Sequence, residues 1–176
     1  MINNPDIYSS FQTFFVSREQ TICPLIYDMI ASGKRLKKTG ILKENVGIIS
    51  MCYGKYVFIS GRNTDLGEAK KEDILEIVDY DPIKRIVLAM GKIEPDSYTP
   101  VHWIIHHARK DVNAIIQLKN EEISEKYSNY LPTTEKEYPT GSLEQAKEIL
   151  ASLRKSNGIV VKNKGLLFVG NNLKEA

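Results

Sequence analysis

Three tight turn signals, each flanked by short β-prone runs, constrain this chain more than any other feature of its sequence. Residues 46–51 and 56–60 flank Gly54-Lys55, 74–79 and 85–89 flank Asp81-Pro82, and 158–161 and 166–169 flank Asn163-Lys164-Gly165. A short connection between two such runs closes a hairpin, and a hairpin pairs its strands antiparallel. Residues 112–118, Val-Asn-Ala-Ile-Ile-Gln-Leu, read as a further, central strand. The sheet is therefore expected to be largely antiparallel.

Helical signals lie between these runs. Ser17-Arg18-Glu19-Gln20 has the spacing of a capping box, and Ile22, Leu25, Ile26, Met29 and Ile30 recur at three- and four-residue intervals after it. The basic run 34–38 suits the negative end of that helix, and Gly40 is a suitable stop. Such a run reads as a solvated helix end in a chain this close to neutral. Thr99-Pro100 predicts a second helix that carries residues 101–110, with Thr99 as N-cap and proline at the first helical position. Ser142-Leu143-Glu144-Gln145 repeats the capping box and opens a third, whose stripe is Leu143, Ala146, Ile149, Leu150 and Leu153. Helices interspersed with hairpins predict a layered α/β domain.

Composition narrows the class. The 176 residues fit a single domain over 1–176, and 24 basic against 22 acidic residues leave a net charge of +2. So small a charge does not recommend a nucleic acid or an anionic membrane as partner. Cys23 and Cys52 cannot build a disulfide framework, and no CxxC pair suggests a zinc ribbon. Residues 1–6 lack the basic start and apolar run of a leader, and no stretch reaches the roughly 18 apolar residues of a membrane span. A cytoplasmic protein is expected.

Few residues suggest chemistry by themselves. His102 and His106 are i, i+4 neighbours on one predicted helix face, the spacing of two zinc ligands, yet a third ligand is not evident; His107 points elsewhere. Lys119 and Lys164 sit at the ends of apolar strands, where α/β sheets place their sites. There they either reach solvent or combine into an anion site, with one amine open to activation as a nucleophile. Gly61 and Gly141-Ser142 could offer backbone N–H groups to a phosphate, but no P-loop or GxGxxG pattern is present.

Longer segments carry a resemblance. The run from His102 through Ala108-Arg109-Lys110-Asp111 to Ile116 resembles the His-x-x-x-Tyr-x-x-Arg-Pro-Asp-x-x-Ala-Val-Val of the class II aldolase/adducin family. Tyr138-Pro139-Thr140-Gly141-Ser142 and the 160–170 hairpin are similar to later family segments, and residues 47–61 and 72–79 match its earlier strands more loosely. The resemblance spans about 28–176 and implies a three-layer α/β/α fold on a mainly antiparallel central sheet. By the same resemblance, the chain ends at Ala176 near the start of the family's last helix, so that helix is expected to be truncated.

The resemblance also assigns a site, and there the sequence departs from the family. Members hold zinc through a His-x-His and a third His in an Asn-His-Gly turn; these positions carry Gln117, Lys119 and Lys164. The catalytic Glu position carries Tyr98, and a Ser-Ser phosphate contact becomes Asp96-Ser97. In the Gly-Asn-x-Ser segment Ile48 replaces Asn while Ser50 is kept, and Ser60-Gly61 keep the end of another phosphate loop. Tyr98, Lys119 and Lys164 are thus the candidate catalytic positions, and Ser60, Gly61, Ser97 and Gln117 the candidate ligand-binding ones.

Zinc supplies the Lewis acid in this family's chemistry, and a glutamine with two ammonium groups cannot hold it. No metal and no cofactor are expected. The expected function is that of a non-catalytic binding or assembly protein, with a small anionic or phosphorylated molecule as partner and a homo-oligomer, tetrameric by resemblance, as its assembly. The alternative is a lyase acting on sugar phosphates or carbonyl compounds, with Lys119 and Lys164 in place of the metal. A metal enzyme built on His102 and His106 is a third reading.

Overall fold

The computed structural model of the chain describes residues 11–42, 46–154 and 156–176. Residues 1–6, where a leader would begin, lie outside them. Among the described residues eight strands form one sheet: β1 (Gln12–Ser17), β2 (Gly47–Tyr53), β3 (Tyr56–Ser60), β4 (Ile74–Asp81), β5 (Ile86–Met90), β6 (Ala114–Lys119), β7 (Gly158–Val161) and β8 (Gly165–Gly170). Their order is β1-β5-β4-β3-β2-β6-β8-β7, and every neighbouring pair is antiparallel except β1 with β5. The three expected hairpins are β2–β3, β4–β5 and β7–β8, and the expected central strand is β6.

Among the described residues four α-helices cover the sheet: α1 (Leu25–Lys38), α2 (Thr99–Ala108), α3 (Glu121–Tyr127) and α4 (Leu143–Leu153). Alternation along the strands divides the core in two. Ile48, Ile59, Leu75, Ile115 and Leu167 pack with Val101 and Ile105 of α2 and Ile149 of α4 on one face. Ile49, Phe58, Ile74, Ile116 and Leu166 pack with Ile26 and Met29 of α1 on the other, where Ile123 and Tyr127 of α3 also rest. This is the expected three-layer α/β/α arrangement.

Local details differ from the sequence reading. Ser17 does not cap a helix: it ends β1, and its Oγ accepts from Glu19 N in a short turn. Helix α1 begins only after Pro24, and Ile22 is exposed. Proline before an apolar periodic run starts a helix as well as a capping box does. The C-terminal stop is as expected, with Gly40 in the left-handed region at φ 73°.

At α2 the cap is Tyr98 rather than Thr99, and the helix ends at Ala108. Asp96 Oδ1 accepts from Tyr98 N at 3.0 Å, so the turn before the helix is organised by Asp96. In α4, Ser142 caps as expected, accepting from Gln145 N at 3.1 Å. Gln145 Oε1 accepts from Gly141 N instead of closing the reciprocal bond to the cap.

Candidate functional site

Three connections meet at one end of the central strands. The loop after β3 carries Arg62 and Asn63, and Arg62 N donates to Glu94 O while Gly61 bridges Pro95. That pairing sets Arg62 beside Asp96 and Ser97, just ahead of α2. Lys119 ends β6, and Lys164 occupies the β7–β8 turn. Gly165 permits their approach: at φ 141°, a Cβ there would lie 1.7 Å from Leu118 O. Asn120 N then donates to Lys164 O at 3.1 Å, which ties the turn to the end of β6.

The resulting cleft has a volume of about 460 Å³ and is lined by Arg62, Ser97, Tyr98, Lys119, Thr140 and Lys164, among others. A smaller hollow of about 230 Å³ shares Asn63, Asp96 and Lys119 with it. Lys119 Nζ donates to Asp96 Oδ2 at 2.7 Å, with one quarter of the lysine side chain and 8% of the aspartate side chain exposed. The ammonium also stands 5.4 Å from the centroid of the Tyr98 ring. Among the described residues Lys164 and Arg62 form no ion pair within 4 Å, so two positive groups face the cleft without a matching carboxylate contact.

Beneath the charged wall lies a neutral floor. Gln117 is buried on β6, with Oε1 3.0 Å from His102 Nε2. Ser50 Oγ is 2.8 Å from both His102 Nδ1 and His106 Nε2. His106 Nδ1 is 3.2 Å from Val112 O. Burial holds the imidazoles down, His102 to about 4 and His106 to about 3, so both are neutral at pH 7. The Tyr98 hydroxyl lies amid Gln145, Thr140 and Gln117 but reaches hydrogen-bond geometry with none of them. Burial pushes its pKa up to about 12, so it is a phenol, not a base.

The candidate residues thus separate into two groups. Tyr98, Lys119, Lys164 and Ser97 converge on the cleft, and Gln117 lies below it. Ser60 and Gly61 do not line it. Ser60 is fully buried with Oγ accepting from Ile49 N, and Gly61 N donates to Asp73 O. The amides of Gly141 and Ser142 are likewise engaged, by Gln145 Oε1 and Pro139 O. Arg62 escaped the sequence reading, because nothing local marks a loop arginine that a strand-to-loop bridge turns toward β6.

The donor set does not suit a zinc ion. Lys119 Nζ is engaged by Asp96, Gln117 is turned to His102, and the lysine charges would repel the ion. His102 and His106 do share a face, but both meet on Ser50. Among the described residues no three His, Cys, Asp or Glu side chains are grouped to hold a metal. His107 points away and stacks on Trp103 with centroids 3.7 Å apart.

A mainly antiparallel sheet between two helical layers, with its cleft at the ends of β6 and the β7–β8 turn, defines the class II aldolase-like fold. The family model for the class II aldolase and adducin N-terminal domain matches residues 27–124, more than half of the chain, and the chain belongs to that family. It is 28% identical over 151 residues to L-fuculose phosphate aldolase of Methanocaldococcus jannaschii, covering 74% of this chain and 75% of that protein. Among solved structures, an L-fuculose 1-phosphate aldolase superposes with a TM-score of 0.73 at 21% identity, over 89% of this chain and 80% of that one. The N-terminal class II aldolase domain of a Thermoplasma acidophilum protein superposes with a TM-score of 0.65 at 16% identity, over 90% and 89%. Among the described residues no helix is long and apolar enough to cross a membrane.

Proposed function

We propose that this chain is a non-catalytic member of its family, a binding or assembly protein that takes a small anionic or phosphorylated molecule in the cleft. One observation carries the reading. Lys119 ends β6 as an ammonium clamped to Asp96 at 2.7 Å, at a position to which the family resemblance gives a zinc-binding histidine. Lys164 stands at another such position and lines the same cleft. Positive groups where a cation would be bound favour an anion, and an anion shared by Arg62 and Lys164 would gain charge-assisted hydrogen bonds from both.

Elemental analysis of tag-free protein tests the loss of zinc, with an expected content far below one ion per chain. Calorimetric titration with inorganic phosphate tests the anion site. Stoichiometric zinc together with cleavage of L-fuculose 1-phosphate would overturn the reading. The proposal includes a homo-oligomer, a tetramer by resemblance, which light scattering would report as four times the chain mass.

A second reading rests on Lys164, which has no carboxylate partner among the described residues. Its amine, once deprotonated, can add to a substrate carbonyl and lose water to give an imine, making the protein a lyase for sugar phosphates or carbonyl compounds. Borohydride would then reduce the imine to a stable secondary amine. No mass increase on Lys164 or Lys119 with triose or sugar phosphates would remove this alternative.

A further inference from the structure

The hydrogen-bonded floor runs in one direction, and that direction is set by its far end. The Val112 carbonyl can only accept, so His106 must carry its proton on Nδ1. Being neutral, His106 then has a bare Nε2, which takes the Ser50 hydroxyl hydrogen. Ser50 has no second hydrogen to give, so the bond on its other side must come from His102 Nδ1–H. His102 is also neutral, which leaves Nε2 bare and facing Gln117.

An amide oxygen cannot face a bare imidazole nitrogen favourably. The oxygen and nitrogen of a carboxamide are alike in shape, and neighbours decide their order. With the NH₂ toward His102, Gln117 donates to Nε2 and its oxygen lies on the side of the Tyr98 hydroxyl. The same choice gives the buried Gln117 amide nitrogen the partner it otherwise lacks.

We infer that Gln117, His102, Ser50, His106 and Val112 form one chain of donations in that order, with Ser50 as the residue that positions it. Reversing any link leaves a buried donor or acceptor unmatched. The chain of donations does not depend on an anion in the cleft.

Long-range ¹H–¹⁵N spectra of the imidazole rings at pH 7 test it, with a His107→Gln variant identifying the third ring. His102 and His106 are both expected as the Nδ1–H tautomer, each with a bare Nε2. An Nε2–H tautomer at His102, or a doubly protonated ring at either position, would overturn the chain of donations. In Ser50→Ala, His102 is expected to switch to Nε2–H and turn the Gln117 amide over, while His106 keeps Nδ1–H for Val112. An unchanged His102 in that variant would remove Ser50 from its positioning role. Should Ser50→Ala not fold, the wild-type spectrum alone still decides the direction.

Discussion

The floor and the wall of the cleft are built on opposite principles although they share β6. Below, Gln117, His102, Ser50 and His106 are buried, neutral and bonded to one another. Above, Arg62, Lys119, Lys164, Asp96 and Glu121 are charged, and among them Lys119 and Asp96 form an ion pair. A buried neutral network contributes to the fold by matching donors to acceptors, whereas groups left unmatched at a surface cleft can contribute to binding. Changes in the floor should therefore be read in stability, and changes in the wall in affinity.

Acid gives the largest expected effect and separates the two regions most sharply. The folded-state values of His102 and His106, about 4 and about 3, lie below the ordinary histidine value near 6.5. Between pH 6.5 and about 4 the unfolded chain binds protons that these buried rings refuse, so their stabilising effect, full above 6.5, declines as pH falls through this window. The loss should be on the order of several kcal/mol, since each pH unit across such a gap is worth about 1.4 kcal/mol per group. Urea midpoints from pH 7.5 to 4.5 measure it. A flat profile would mean that the floor is not neutral and buried as described.

Asp96→Asn should come next, because it touches both regions. The asparagine oxygen can still accept from Tyr98 N, but Lys119 would remain a three-quarters buried ammonium without a counter-ion. Stability should fall by roughly 1–2 kcal/mol while affinity for phosphate rises several-fold. Unchanged midpoint and affinity would show that the pair serves neither region. Lys164→Ala should do the reverse, weakening phosphate binding about tenfold and shifting stability by no more than about 0.5 kcal/mol.

The same contrast explains what could be read in the sequence. Hairpins, the central strand and the α4 cap were legible because each depends on residues close together in the chain, such as Asn163-Lys164-Gly165 or Ser142 and Gln145. Strand β1 was not, since its partner β5 lies some seventy residues further on and its parallel pairing leaves no turn to recognise. Helix α3 is only seven residues long, with Ile123 and Tyr127 as its main inward contacts, too short for a period to show. In the site, Lys119 and Lys164 were visible as strand-end lysines. The Asp96 pair, the Arg62 wall and the Ser50 hub were not, because each joins residues from separate loops and layers.

The smallest predicted effects test how far a local motif can be trusted. Ser17-x-x-Gln20 and Ser142-x-x-Gln145 have the same spacing, yet only Ser142 stands before a helix and receives a hydrogen bond from the residue three positions on. The backbone N–H of Gln145 has no carbonyl of the preceding turn to serve, so the Ser142 hydroxyl satisfies a group that would otherwise stay open. Ser142→Ala should therefore cost about 1 kcal/mol. The Ser17 hydroxyl accepts from Glu19 N in an exposed turn where water can replace it, and Ser17→Ala should stay within about 0.5 kcal/mol. Equal losses in the two variants, measured by urea midpoint, would mean that the turn after β1 stabilises the fold as much as a helix cap does. A difference of the expected size would place the distinction in the residues just C-terminal to each serine: Pro24 delays α1 until the turn after β1 has ended, whereas nothing separates Ser142 from α4.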